Sequence, residues 1–348
     1  MLIQNIKLNQ FRNHDYLDLD FDKGMNIIVG SNGVGKTNIL ESIILISNTK
    51  SFRTTEEKKM IKHLSTYSTV EISTNENYLK VVLNEKGKSF YIDNELIRKT
   101  SNMIGKLNAI IFKPGDIELY TQSPKARRKE IDLELGKISP TYLKAIVNYN
   151  HYLKQKNTLL KERTVDENLL SIINETLTPV IKVIIQEREK FVNNINQQIN
   201  NIYKEISGEN SNIKITYKKC CDTDDIETNM ELAKEKDRLF QHSTFGPHRE
   251  DYVFTINGEE LNNYASQGQK RMIIISLKLA IVKYIKEQLN KDIVVLLDDV
   301  LSELDIDRST RLLNMLPNNQ TIMTATHINE LKISKTYKLI ELEEKKNG

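Results

Sequence analysis

The sequence predicts an α/β protein. One lobe, carrying an antiparallel β subdomain, is split along the chain by an inserted and mostly helical second lobe. Three observations predict it. Met25-Asn26-Ile27-Ile28-Val29 is a short β-branched apolar run that passes through a glycine-rich turn into an amphipathic helix, the order of an α/β unit. A second buried strand, Ile293-Val294-Val295-Leu296-Leu297, ends in Asp298-Asp299 more than 250 residues later. Between the two lie alternating strands and then a long stretch of helical periodicity. Residues 1–113 and 235–348 are therefore expected to form the split lobe, and 114–234 the insertion.

A chain of 348 residues is long for one core and sufficient for two. With 28% charged and 39% apolar residues it has the composition of a soluble globular protein. The net charge of +3 announces no global basic field. No apolar run approaches the ~18 residues of a membrane span. The N-terminus, Met1-Leu2-Ile3-Gln4-Asn5, lacks the basic and apolar regions of a secretory leader. The two cysteines, Cys220 and Cys221, are adjacent, too close for a relaxed disulfide, and two free thiols fit a reducing cytoplasm.

In chain order, Ile6 and Leu8, then Leu17, Leu19 and Phe21, alternate with polar neighbours and read as half-buried strands. Between them Phe11-Arg12-Asn13-His14 is a polar turn, read either as a hairpin turn or as a carrier of an arginine folded back onto a ligand. Ile39, Leu40, Ile43 and Ile44 share one helical face. Val70 and Ile72, Tyr78 to Leu83, and Phe90 and Ile92 form a meander turned at Asn84-Glu85-Lys86-Gly87. Ser123-Pro124 opens a helix. Val180, Ile184, Phe191, Ile195, Ile199, Ile202 and Ile206 line one helical face, with breaks expected at Pro140 and Pro179. No heptad pattern lasts long enough for an extended coiled coil. Strands return at Ile213–Tyr217 and Tyr252–Ile256, the latter closed by Asn257-Gly258. A helix from Lys270 to Lys286, the strand ending at Asp298, a helix from Arg308 to Leu316 and a buried strand Thr321–Ala325 complete the lobe.

Gly30-Ser31-Asn32-Gly33-Val34-Gly35-Lys36-Thr37 fits the phosphate-binding pattern G-x-x-x-x-G-K-[ST], with Asn38 following, and marks a P-loop NTPase. Its glycines let backbone N–H groups turn around phosphate at a helix N-terminus. Lys36 is expected to reach the β- and γ-phosphates of ATP and Thr37 to ligate Mg²⁺. Asp298 is expected to hold Mg²⁺, and Asp299 to orient and deprotonate a water. Ser266-Gln267-Gly268-Gln269, opening the helix before that strand, resembles the S-G-G-Q signature of ABC-type ATPases, with Gln267 for the first glycine. In that class the signature contacts the nucleotide of a second protomer. Ser302-Glu303-Leu304-Asp305 resembles the loop that follows in the class, with Asp305 at the nucleotide, and Thr326-His327 stands where a switch histidine would.

The chain resembles the RecF family of bacterial recombination mediator ATPases over nearly its whole length. The resemblance rests on Phe11-Arg12-Asn13; on Gly30 to Asn38; on Lys50-Ser51-Phe52-Arg53; and on Phe112-Lys113-Pro114-Gly115-Asp116, where Gly115 departs. It continues through Tyr149-Asn150 with Gln155 to Leu160, Gly246-Pro247-His248-Arg249-Glu250-Asp251, Tyr264 to Gln269, and Leu296 to Asp305. It implies an ABC-ATPase head like that of SMC and Rad50, without the long coiled coil, and an ATP-dependent homodimer on double-stranded and gapped DNA. It also implies RecR and RecO as partners in loading RecA, and no membrane. Lys50, Arg53, Arg127 and Arg128 are the basic residues expected to meet DNA. Asp299, one methylene shorter than the glutamate usual in ABC ATPases, implies slow turnover. The alternatives are a transporter nucleotide-binding subunit and a DNA scaffold with a structural nucleotide.

Overall fold

The structure, a computed structural model, describes residues 2–290, 292–316, 319–326 and 335–343. It divides into two compact units: Met1–Asp116 with Glu205–Gly208 and Ile274–Gly348, and Ile117–Lys204 with Glu209–Ile273. The chain thus returns to the first unit at 274, later than the expected 235.

The first unit begins with β1 (Ile3–Phe11), β2 (His14–Asp20), β3 (Met25–Val29), α1 (Lys36–Asn48), β4 (Tyr67–Thr74), β5 (Tyr78–Asn84), β6 (Gly87–Ile92), β7 (Glu95–Leu96) and β8 (Ala109–Phe112). The second holds α2 (Pro124–Ile138), α3 (Pro140–Leu159), most of α4 (Glu167–Ser207), β9 (Ile213–Lys218), α5 (Ile226–Phe240), β10 (Asp251–Ile256), β11 (Glu259–Glu260), α6 (Leu261–Tyr264) and the start of α7 (Gln267–Leu289). The first unit closes with β12 (Val294–Asp298), α8 (Ile306–Met315), β13 (Thr321–Ala325) and β14 (Tyr337–Glu341).

Two sheets build the first unit. The antiparallel one runs β2-β1-β4-β5-β6-β7 and contains the expected meander; the parallel one runs β14-β3-β13-β12-β8. Strand composition explains the split. β4 and β5 alternate buried and half-exposed residues, whereas β12 and β13 are buried throughout. α1 packs with both sheets in one core, so its burial extends beyond the expected face to Leu45 and Ile46. A helix apolar all round is a helix covered all round. The parallel order sets β13 between β3 and β12, which brings the carboxyl ends of all three strands to one edge.

In the second unit, Ser123 and Ser139 cap α2 and α3, accepting from the backbone N–H of Ala126 (3.4 Å) and Tyr142 (3.0 Å), with Pro124 and Pro140 at the first helical position. Pro179 does not break its helix, contrary to expectation: α4 runs through it for 41 residues. Buried Ile173 and Leu177 precede the proline and Ile181, Ile184 and Ile185 follow it, so one packed stripe opposes the ~3 kcal/mol cost of an interior proline. Ile184, Phe191, Ile195, Ile199, Ile202 and Ile206 are buried as expected, while Ile181 takes the core place expected of Val180. By length and composition α4 would pass for a membrane span. Its apolar residues form a buried stripe, the pattern of a core helix.

α4 also explains the later return. Asn196 and Asn200, one turn apart, lie along β9. Asn196 donates to Ile215 O (2.8 Å) and accepts from Ile215 N (2.9 Å); Asn200 donates to Ile213 O (3.2 Å) and accepts from Ile213 N (2.7 Å). The side-chain amides thus cover an edge strand's unpaired backbone. β9 pairs with β10, so both strands belong to the helical unit. The loop before β10 is held by buried polar contacts. Arg188 bonds Glu250 (2.5 Å), Asp132 (2.7 Å) and Pro247 O (3.1 Å), and Lys156 pairs with Asp237 (2.8 Å). Tyr149 donates to His248 Nδ1 (2.5 Å), while His248 Nε2 donates to Ser243 O (3.0 Å). Cys220 and Cys221 are free thiols.

Burial pushes the imidazole of His248 down to about 4 from 6.5, and the charges of Arg249 and Arg128 act in the same direction. Between those values the unfolded chain binds the proton and the folded one does not. The stability His248 contributes is therefore present above pH 6.5 and is lost as pH falls toward 4. Denaturant unfolding across that window will show the decline, and His248→Gln will flatten that part of it.

Candidate functional site

The glycine loop connects the end of β3 to α1. Gly35, in the left-handed region at φ +110°, could carry no side chain: a Cβ would lie 2.4 Å from His14 Nε2 and 2.6 Å from Asn13 Oδ1. Asn13 Nδ2 donates to Gly33 O (3.0 Å) and His14 Nε2 to Gly35 O (3.2 Å), so the β1–β2 turn clamps the loop from outside. Gly30, Ser31, Asn32, Gly33 and Val34 form the approach to that point. Lys36 arches back over the loop, its ammonium donating to Gly30 O (2.6 Å) and Ser31 O (2.9 Å). Burial lowers the Lys36 pKa, and the Asp299 and Asp298 carboxylates oppose that shift.

Thr37, at the start of α1, donates from Oγ1 to Asp298 Oδ1 at 2.8 Å. Asp298 is 7% exposed, and burial raises its pKa against the bonds from Thr37 and Thr324. Asp299, next along, is exposed and lies in the left-handed region at φ 52°. The chain thus turns one carboxylate inward and the next outward. Ser302 donates to Asp299 O (2.7 Å), and Asp305 caps α8 by accepting from Arg308 N (2.8 Å).

Among the described residues no group of three or more His, Cys, Asp and Glu side chains could hold a metal. The Thr37–Asp298 pair nonetheless fits Mg²⁺. Both are hard oxygen donors, and this cation takes one or two protein ligands beside water and phosphate oxygens. A buried carboxylate with a raised pKa is also one that a dication would stabilise.

Ser266 and Gln269 form a reciprocal cap on α7. Gln269 N donates to Ser266 Oγ (3.2 Å), and Ser266 N donates to Gln269 Oε1 (3.0 Å). Gln267 and Gly268 lie within that cap. A Cβ on Gly268 would approach only Ser266 Oγ, at 4.0 Å, so internal packing does not demand glycine there. These residues belong to the second unit, and Lys36, Thr37, Asp298 and Asp299 to the first. His327 lies outside the described residues.

The family model for the RecF/RecN/SMC N terminal domain matches residues 2–348. The DNA replication and repair protein RecF of Streptococcus suis is 38% identical over 357 residues, covering 99% of this chain and 98% of that one. Its counterpart in Agathobacter rectalis is 37% identical over 340 residues, covering 95% and 93%. The chain belongs to the RecF family. A solved structure described as the recombination mediator protein RecF-ATP in the RecFOR pathway superposes with a TM-score of 0.89 at 29% identity, covering 95% of this chain and 94% of that one. The SMC head bound to the C-winged helix domain of ScpA, at 15% identity and a TM-score of 0.57 over 94% and 90%, shares the fold.

Two motifs that carry the RecF resemblance, those of Arg12 and of Ser51 and Arg53, meet at Glu41, a residue that the sequence does not single out. Its carboxylate is fully buried on α1. Arg12 grips it from Nε (2.9 Å) and Nη2 (2.5 Å), Arg53 from Nη1 (3.2 Å), and Ser51 from its hydroxyl (2.5 Å). Arg53 Nη1 also donates to Asn38 Oδ1 (2.7 Å), and Asn38 Nδ2 donates to Asn13 Oδ1 (2.7 Å). One charged residue inside an apolar helix was the available signal; its partners lie too far along the chain to be inferred. Arg12 and Arg53 therefore stand beside the phosphate loop with their guanidinium groups already fixed. Two of the arginines expected at DNA are engaged inside the second unit instead: Arg127 pairs with Asp251 (2.6 Å) and Arg128 donates to Glu250 O. Lys50 is exposed.

Removing the carboxylate would leave two guanidinium groups without their buried partner. Glu41→Ala is expected to destabilise the protein by about 3 kcal/mol, the loss typical of breaking a buried pair. Urea unfolding of the variant measures it.

Proposed function

We propose that this protein is an ATP-driven switch that binds DNA in replication and recombinational repair in the cytoplasm. The observation that carries the reading is the Thr37–Asp298 bond, with exposed Asp299 following it. It unites the phosphate loop and the carboxylate strand at the carboxyl edge of a parallel sheet, where α/β proteins bind their ligands. The glycine loop and Lys36 bind the phosphates of ATP, and Arg12 and Asn38 support the loop. Thr37 and Asp298 would hold Mg²⁺, which would supply charge neutralisation at the phosphate oxygens. Asp299 orients a water and takes its proton. A carboxylate one methylene shorter than glutamate makes that step slow, which suits a timer better than a fast catalyst.

The capped N-terminus at Ser266-Gln267-Gly268-Gln269, with an open glycine, is suited to approach an anionic phosphate. In this reading it closes on the nucleotide of a second copy. Asp305 stands at the same interface, and His327 senses the γ-phosphate. ATP thereby joins two heads on double-stranded DNA, with preference for gapped junctions, and hydrolysis releases it. RecR and RecO are the partners that the family implies, with loading of RecA as the outcome.

Assembly measured by light scattering tests the switch. Lys36→Met should abolish nucleotide binding and remain monomeric. Asp299→Asn should retain ATP and accumulate as a dimer that ADP does not support. A monomer at saturating ATP would overturn closure in trans, and equal assembly with ATP and ADP would favour a scaffold with a structural nucleotide.

A further inference from the structure

Thr324 is a polar residue in a strand that otherwise has reason to be apolar. It lies in β13 between Met323 and Ala325, is 3% exposed, and stands in register with Asp298 of β12. Strand propensity and burial would be served as well by valine, which has the same shape without the hydroxyl. The hydroxyl has two identifiable partners, one on each member of the acidic pair. Thr324 Oγ1 accepts from the backbone N–H of Asp299 at 3.0 Å and lies 3.1 Å from Asp298 Oδ1, with Leu297 O farther away at 3.5 Å. Since the hydroxyl has a single proton, the shorter contact takes it, and Asp298 Oδ1 is the acceptor.

Each bond fixes something different. Asp298 Oδ1 also accepts from Thr37 at 2.8 Å, so two hydroxyls, from α1 and β13, set the rotation of one buried carboxylate. The bond from Asp299 N helps hold a left-handed turn, a conformation uncommon for non-glycine residues although aspartate tolerates it better than most. That turn sends the Asp299 side chain outward while Asp298 faces Thr37. We propose that Thr324 is a positioning residue for the hydrolytic step, one hydroxyl that holds both the metal-binding and the water-orienting carboxylate in place. The proposal rests on the reading of Asp298 and Asp299 given above.

Thr324→Val and Thr324→Ser in the full chain test it. The readouts are binding of a fluorescent ATP analogue with and without Mg²⁺, and steady-state hydrolysis as kcat and KM separately, with thermal unfolding as the control for folding. Thr324→Val should fold, bind nucleotide without Mg²⁺ within about twofold of the parent, and need about tenfold more Mg²⁺ for its effect on binding, the scale of one lost hydrogen bond to a charged group. Its kcat should fall about tenfold or more, with KM little changed. Thr324→Ser should recover most of both. A valine variant with the parental Mg²⁺ requirement and kcat overturns the proposal, as does a serine variant as impaired as valine, which would assign the residue to packing. Asp298→Asn separates the two layers. If it loses the Mg²⁺ effect while valine at 324 does not, only the role of Thr324 fails. If it keeps the effect, the assignment of the metal site fails with it.

Discussion

The hydrogen bond from Thr37 to Asp298 spans 261 positions of sequence, and the arrangement of the first unit serves to make it. Neither residue has a local reason to find the other. Thr37 opens the helix after β3, Asp298 closes β12, and β13 lies between those strands with both in parallel register. A parallel sheet places the carboxyl ends of its strands at one edge, so the order β3-β13-β12 suffices to bring the two side chains together. The fully buried, β-branched character of the strands is what commits them to that sheet.

Around this bond the protein holds its charges by pairing. Glu41 is buried, yet Arg12, Arg53 and Ser51 satisfy it. Through Asn38 and Asn13 the same network reaches the carbonyl of Gly33. The glycine loop is thus braced from behind, closely at Gly35 and with open space at Gly33. Unpaired, such a carboxylate in the core would cost more than the helix gains by burying its neighbours. In the second unit Arg188, Glu250 and Asp132 solve the same problem far from the phosphate loop in sequence.

Elements whose information is local were legible in the sequence. Lys36, Thr37, Asp298 and Asp299 are fixed by a loop pattern and a strand end, and the capped starts of α2 and α3 by Ser-Pro pairs. Residues whose reason lies across the fold were not. Glu41 and Thr324 look like ordinary helix and strand positions until their partners are known. Pro179 reads as a break because propensity is local, whereas the stripe that carries α4 through it is tertiary. Asn196 and Asn200 cover β9, a role set by partners across the fold, and that is why the second unit extends to residue 273 rather than 234. Arg127 and Arg128 looked available to DNA because a sequence cannot show that a guanidinium already has a partner.

In the proposed switch, the two halves of the chain make one hydrolytic site whose turnover answers to DNA. The most direct measurement is ATP hydrolysis by the purified protein with and without double-stranded DNA, with Asp299→Asn as the blank. The expected result is a slow basal rate that DNA raises, over a blank that stays flat in both conditions. A rate indifferent to DNA would contradict the switch, and a rate that survives in the blank would contradict the assignment of Asp299.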